Sequence, residues 1–134
     1  MSNIYPISDE KGLLTTPHSF TITNNCTTPV AVQINLESLN IDNKLATNYV
    51  KFNLDNGDAN YTQLLSNTQT RTATISGATS NNLDNVYLAS NSSKSFNLRL
   101  WVDYATTLAQ GSGKTYQGKI VAVANPSTKI GRAH

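Results

Sequence analysis

The sequence is poor in charged residues and in cysteine, and both shortages narrow the class of protein. Charged residues make up 13% of the 134 residues, well below the roughly 25% of an average soluble protein. The positive residues are scattered, so the net charge of +2 forms no basic patch of the kind that binds nucleic acid. The single cysteine, Cys26, cannot form an internal disulfide, and we expect a partly buried, unreactive thiol in a connection between two strands.

Long apolar segments are also missing. No uninterrupted apolar run exceeds five residues, at 120–124, whereas a transmembrane helix needs about 20. No charged and apolar segments of a signal peptide precede the first predicted strand. We therefore expect no membrane span in this chain, and we regard it as a fragment or mature form from which a signal peptide has been lost.

Serine, threonine and asparagine take the place of the missing charges and account for 47 of the 134 residues. Threonine fits the pleated surface of a strand, while asparagine and serine favour turns. A composition rich in threonine and asparagine and poor in charge is typical of an extracellular β-protein. Drift in an AT-rich genome would produce the same bias, so composition leaves both explanations open.

Alternation of apolar and polar residues is the dominant pattern along the chain. It occurs at residues 19–23, 30–36, 51–54, 96–102 and 116–122, and each row predicts a half-buried strand. Turn signals separate the rows at 55–58, 77–78, 81–82, 91–93 and 111–113. The pattern predicts an all-β, two-sheet antiparallel β-sandwich with one or two short helical turns, at 61–67 and 103–110, in a single domain over residues 1–129.

The last five residues, Ile-Gly-Arg-Ala-His at 130–134, match the translation of a common sequencing adapter. We therefore predict that residues 130–134 are a non-native tail produced by adapter read-through. His134 is excluded as a ligand for the same reason.

Motifs that resemble chemical sites are incomplete. The segment Gly-Ser-Gly-Lys-Thr at 111–115 has Leu108 where a P-loop requires its first glycine, and it precedes a strand instead of a helix. Asp55 and Asp58 flank an Asn-Gly turn, but no glutamate closes a calcium loop after them. His18 has no catalytic or metal-binding partner nearby in the sequence, and we interpret it as a strand-edge residue. We predict no catalytic, cofactor-binding or metal-binding residues, no cofactor and no enzymatic activity.

Trp101 and Tyr104 are candidates for a surface aromatic contact, because neighbouring aromatic rings can stack on a sugar. The alternative is that Trp101, which alternates with Leu100 and Val102, covers the outer face of a sheet or reaches under a loop.

Four short motifs, in their order and spacing, resemble Gram-positive secreted proteins that carry SipW-dependent-type signal peptides. They are Tyr-Pro-Ile-Ser-Asp-Glu-Lys-Gly at 5–12, Pro-His-Ser-Phe-Thr-Ile-Thr-Asn at 17–24, Asn-Leu-Arg-Leu-Trp-Val-Asp at 97–103 and Gly-Lys-Thr-Tyr-Gln-Gly-Lys-Ile at 113–120. The group is distantly similar to the biofilm fibre protein TasA and to camelysin. His18 stands where the group has an aromatic residue.

The resemblance implies a jelly-roll-like sandwich, export, and a structural role at the cell surface or in a biofilm matrix. It also implies fibres in which an N-terminal strand of one subunit completes a sheet of the next, a form of β-strand addition. Ser2, Asn3, Ile4 and Tyr5 would be that strand here, and the partner would be a second copy or another matrix or surface component. The alternative function is an extracellular binding module for a glycan or a surface partner.

Overall fold

Two β-sheets stack face to face in the computed structural model, which describes residues 5–126. The first sheet contains β1 (Pro6–Ile7), β2 (His18–Thr23), β4 (Val50–Asp55), β5 (Asn60–Leu64) and β8 (Ser93–Asp103), and the second contains β3 (Val30–Ser38), β6 (Thr70–Arg71), β7 (Thr79–Leu88) and β9 (Gly118–Pro126). Two short α-helices, α1 (Asp9–Gly12) and α2 (Leu108–Gly111), and two 3₁₀ turns (Thr47–Tyr49 and Leu65–Asn67) complete the described chain. The predicted all-β, two-sheet sandwich is confirmed.

The strand order explains which strands lie at the edges. In the first sheet β8 is central, with β4 and then β5 on one side and β1 and β2 on the other. The second sheet has the order β6, β7, β3, β9. The chain changes sheet after β2, β3, β5, β7 and β8, which agrees with the jelly-roll-like winding implied by the resemblance. The pairs are antiparallel apart from β1 against β8 among the described strands.

The core consists of the inward-facing residues of the alternating rows. On β3, Val32, Ile34 and Leu36 are buried and face the first sheet. Phe52 and Leu54 on β4 belong to the same buried cluster, together with Phe96, Leu98 and Val102 on β8. Burial of one such side chain stabilises the fold by about 1.5–3 kcal/mol, so these rows supply most of the driving force for sheet packing.

Three sequence assignments need correction. The turn signals place Asn81 and Asn82 in a loop, but both lie within β7, whose first half is polar and hides the alternation. The helical turn predicted at 61–67 is mainly strand β5, and only Leu65–Asn67 forms a 3₁₀ turn. The turn predicted at 103–110 is the end of β8 followed by α2, which begins at Leu108.

The connection between β2 and β3 is held by the buried side chain of Asn24. Its amide nitrogen donates to the carbonyl oxygens of Thr28 and Leu88 at 3.0 and 3.1 Å, and its oxygen accepts from the backbone nitrogen of Cys26 at 2.9 Å. Cys26 lies between two strands as predicted, but its thiol is exposed and not partly buried. The reason is that Asn24, and not the cysteine, fills the interior of this turn.

The outer face of β8 is covered where α1 crosses it. Trp101 projects from this face and is 2% exposed. It is absent from the core cluster that contains Val102, and its ring lies against Gly12 of α1, which confirms that it is on the opposite side from the core. Gly12, at the end of α1, packs directly on the indole, since a Cβ atom built there would lie 2.3 Å from Cδ2 of Trp101. No residue with a side chain larger than that of glycine fits at position 12 unless α1 moves.

We expect Gly12→Ala to destabilise the fold by about 3 kcal/mol, because the added methyl group overlaps the buried ring of Trp101. Urea unfolding followed by tryptophan fluorescence would measure the loss. In the double variant Gly12→Ala, Trp101→Ala the clash is absent, so its cost should fall well below the sum of the two single costs, as measured by circular dichroism. Additive costs would show that α1 moves freely away from β8.

Candidate functional site

The inner face of β9 is left uncovered on one side of the sandwich. Ala122 and Ala124 are register partners of Ile34 and Val32 on β3, so they point to the same side of the sheet as these buried residues. Ile34 and Val32 are buried, yet Ala122 and Ala124 are exposed. The first sheet therefore does not extend far enough to cover β9.

A groove runs along this uncovered side, between β9 of the second sheet and β2 and β8 of the first. Leu36, Leu98, Leu100 and Ile120 form its apolar floor, and its volume is about 540 Å³. A second cavity of about 340 Å³ shares Leu100, Gly118 and Lys119 with it and continues the groove towards Tyr116. We call this feature the β2–β9 groove.

Thr16, His18 and Lys119 line the mouth of the β2–β9 groove. His18 begins β2 and is exposed, as expected for a strand-edge residue, and its ring stacks on Phe20 with centroids 6.0 Å apart. Phe20 in turn stacks on the core residue Phe96 at 5.0 Å. His18, stacked on this aromatic pair, thus forms part of one wall of the groove without closing it.

The opposite side of the sandwich is closed by polar contacts between the sheets. The side chain of Asn56, in the β4–β5 turn, donates to the carboxylate of Asp84 on β7 at 2.8 Å. Further along β7, Asn81 donates to the carbonyl oxygen of Leu65 at 3.2 Å. The chain itself also crosses between the sheets here, from β5 to β6. The two sides of the sandwich therefore differ: one is bridged and the other is open.

The backbone edge of β9 is regular and carries no charge over residues 120–125. β9 pairs with β3 along its whole length, and no other strand among residues 5–126 pairs with it. Lys119 and Pro126 lie at its two ends, which is where natural proteins place residues that limit edge pairing. Between them, the outer-edge backbone donors and acceptors of β9 have no strand partner among residues 5–126 and can pair with another extended chain.

Tyr5 is the described member of the predicted donor segment. It directly precedes β1, is 73% exposed, and lines a surface cavity with Pro6, Val102 and Leu108. Ser2, Asn3 and Ile4 lie outside the described residues, as does the predicted tail at 130–134.

The expected surface contact between Trp101 and Tyr104 is not present. Trp101 is buried beneath Gly12, as described above, whereas Tyr104 is 72% exposed. Tyr104 instead borders a shallow cavity with Asp9, Lys51 and Asp103, where the Lys51 amine lies 2.9 Å from Asp9. The two rings cannot form a common surface because α1 covers the outer face of β8 at Trp101. Of the two residues, Tyr104 alone is accessible to a ligand.

The chemical motifs fall on structural turns. Residues 111–115 run from the end of α2 into the approach to β9, with Gly113 at a φ of 73°. Asp55 and Asp58 flank the β4–β5 hairpin turn, and the Asp58 carboxylate pairs with Lys94. Among residues 5–126, no three His, Cys, Asp or Glu side chains come close enough together to hold a metal ion, and no helix is both long and apolar enough to cross a bilayer.

Glu37 is the one carboxylate whose side chain is fully enclosed on the outer face of β3. It accepts hydrogen bonds from the backbone nitrogens of Thr74 and Ile75 at 2.9 and 2.8 Å and from the Thr74 hydroxyl at 2.9 Å. Burial alone raises the pKa of Glu37, but the hydrogen bonds outweigh it and hold the pKa below the ordinary value. These hydrogen bonds anchor the β6–β7 connection to β3. The carboxylate does not lie deep in the core, because only this single layer of chain covers it.

Tyr116 closes the lower end of the β2–β9 groove. Its ring is buried, and its hydroxyl lies 2.6 Å from the hydroxyl of Ser38 at the end of β3. Burial raises the pKa of Tyr116 to about 12, although the hydrogen bond with Ser38 acts in the opposite direction. The phenol therefore stays neutral at physiological pH and acts as a structural contact between β3 and the approach to β9.

No family model, curated protein or solved structure matches this chain, so the resemblance described above rests on its short motifs.

Sequence analysis missed the groove, although one signal was present. Residues 120–124 are apolar at every position, and not only at alternate ones. Such a run is typical of a strand that is covered on both faces. The structure covers neither face of β9 completely, so the run marks a surface that lacks a partner.

We expect Glu37→Gln to lower the free energy of unfolding by about 2 kcal/mol at pH 7, because the amide replaces one accepting oxygen by a donor next to the Thr74 backbone nitrogen and removes the charge that strengthens the remaining hydrogen bonds. The folded pKa of Glu37 lies below the unfolded value, so the carboxylate stabilises the fold above that unfolded value, and this stabilisation is lost as the pH falls through the folded pKa. Urea unfolding at pH 7 and pH 3 should therefore show the gap between wild type and variant shrinking in acid. Glu10→Gln, at an exposed position, is the control, and a gap independent of pH would contradict this assignment.

Proposed function

We propose that this protein is a secreted, non-enzymatic structural protein of the cell surface or biofilm matrix, and that its copies associate when a β-strand adds to the free edge of β9. The observation that carries the proposal is the exposure of Ala122 and Ala124 on the same sheet face as the buried core residues of β3. An added strand would complete the second sheet and cover the β2–β9 groove.

Strand addition suits this edge for two physical reasons. The backbone groups along the free side of β9 gain partners, and the apolar floor of the groove is removed from water. Side chains of the added strand that alternate inward would contact Leu100 and Ile120, which line the groove and are only half-buried. The backbone pairing would supply affinity, and the apolar floor would select strands with small or apolar inward residues.

Residues 2–5 of a second copy are the proposed donor. Four extended residues span about 13 Å, enough to pair with four of the nine residues of β9. The exposure of Tyr5 supports this role, because a side chain that is 73% exposed is accessible to a second copy. The resemblance to secreted proteins with SipW-dependent-type signal peptides supports the same mode of assembly and the extracellular location.

A structural role also accounts for the groups with perturbed pKa values. Glu37 accepts three hydrogen bonds that hold a connection, and Tyr116 is bonded to Ser38. Both groups lie at points where strands are joined, and each has a partner that explains its environment. This supports a framework function over catalysis.

We expect Ala122→Lys to reduce concentration-dependent assembly strongly, because the ammonium group would project into the groove that the inward side chains of an added strand would fill. Light scattering as a function of protein concentration, with electron microscopy of the largest species, would measure the effect. Ala89→Lys makes the same change at an exposed position in the β7–β8 turn and should assemble like the wild type. Circular dichroism should show the same fold for both variants.

Deletion of residues 1–5 tests the donor. The shortened chain should remain monomeric, yet a synthetic peptide with the sequence of residues 1–6 should bind to it and fail to bind to its Ala122→Lys form. Polymers that persist after the deletion would exclude this donor. Polymers unaffected by Ala122→Lys would exclude β9 as the acceptor, and wild-type protein that stays monomeric at all concentrations would exclude self-assembly.

A further inference from the structure

We propose that Asn56 is a deamidation site controlled by the fold: the closed β4–β5 turn protects it, and conversion to aspartate or isoaspartate after the turn opens separates the two sheets at that end. This inference is independent of the proposed function. It concerns the bridged side of the sandwich, not the β2–β9 groove.

Asn56 and Gly57 form the only Asn-Gly pair in the sequence. Glycine has no side chain to obstruct its own backbone nitrogen, so an asparagine side chain followed by glycine is attacked by that nitrogen more readily than in any other pair. Gly57 has a φ of 91° and no atoms near the position that a Cβ would occupy. The pair therefore has high intrinsic reactivity, and open space lies beside Gly57.

The folded turn restrains both reacting groups. The Asn56 side-chain oxygen accepts from the backbone nitrogens of Asp58 and Ala59 at 2.9 and 2.7 Å, and its nitrogen donates to Asp84 at 2.8 Å. The attacking group, the backbone nitrogen of Gly57, donates to the Asp55 carboxylate at 2.8 Å. Cyclisation needs the Asn56 side chain to rotate towards Gly57, so these four hydrogen bonds must break first.

Once the turn opens, the reaction needs only water. The Gly57 nitrogen loses its proton to solvent and bonds to Cγ of Asn56, and the side-chain nitrogen takes up a proton and leaves as ammonia. Water then opens the cyclic imide at one of its two carbonyl carbons. Attack at the backbone carbonyl carbon of residue 56 breaks its bond to the Gly57 nitrogen and yields isoaspartate, whereas attack at Cγ breaks the newly formed bond and yields aspartate. In both cases the net change is one water consumed and one ammonia released.

The product no longer fits against β7. Asp84 points inward from β7 and is buried, with its other carboxylate oxygen accepting from the backbone nitrogen of Asn85 at 2.9 Å. A carboxylate at position 56 lacks the donor that now contacts Asp84, and it brings a second negative charge to hydrogen-bond distance from the first. Two buried carboxylates at this distance cannot both remain ionised without a large penalty.

The rate of the reaction tests the protection. Purified protein would be incubated at pH 8 in buffer and in urea above the unfolding midpoint, and the peptide containing Asn56 would be followed by mass spectrometry. We expect deamidation at least about tenfold slower in the folded protein, because it requires local opening. Asn91, which precedes Ser92 in an exposed turn, is the internal control and should respond much less to unfolding. Equal rates for Asn56 in both states would overturn the proposal.

Substitutions test the consequence. Asn56→Asp should lower the ratio of folded to unfolded protein at pH 7 by at least about tenfold, as expected when a buried hydrogen bond becomes a charge repulsion. The double variant Asn56→Asp, Asp84→Asn exchanges amide and carboxylate across the same contact and should recover more than half of the shift in unfolding midpoint. If Asn56→Asp yields no folded protein, recovery of folding by the double variant is the same test. Unchanged stability of Asn56→Asp, or a double variant that recovers less than half, would overturn the proposal.

Discussion

The structure depends on the packing of β3 against the strands β4 and β8 of the opposite sheet. Ile34 and Leu36 on β3 are buried in the cluster that contains Phe52 and Phe96. Apart from β6, which pairs with β7, each of the other strands pairs directly with β3, β4 or β8. The packing is strong at the centre but unequal at the two sides. On the β5–β7 side the sheets are joined by chain and by polar side chains, whereas on the β2–β9 side the second sheet extends beyond its cover.

This inequality links the two proposals without making one depend on the other. The open side has apolar side chains and a free backbone edge, which together favour the addition of an extended chain. The closed side has inward polar residues on β7, which need specific partners because a buried polar group without one is costly. We therefore expect assembly on the open side, where the core is incomplete, and deamidation on the closed side, where the contact between the sheets depends on the amide of Asn56.

Strict alternation made most strands predictable, because each inward apolar residue in β3, β4 and β8 is separated from the next by one residue that faces outward. β7 escaped prediction for a physical reason: two of its inward positions are Asn81 and Asp84, and their partners, Leu65 and Asn56, are distant in the sequence. The side of Trp101 was predictable from Leu100 and Val102, but its cover was not, since that depends on where α1 packs. The groove was hidden because alternation shows which residues share a face and not whether another sheet reaches that face.

The position of β9 in the chain has a consequence for biosynthesis. β3 is a central strand, but its neighbour β9 begins about 80 residues after β3 ends, and a ribosome adds about 5–20 residues per second. For several seconds the nascent chain therefore displays one edge of β3, bordered by the same apolar row that later forms the core. The free edge of β9 in the folded protein is thus preceded by a transient free edge of β3 during synthesis, and the chain has to be kept from pairing prematurely with another chain while it is being made.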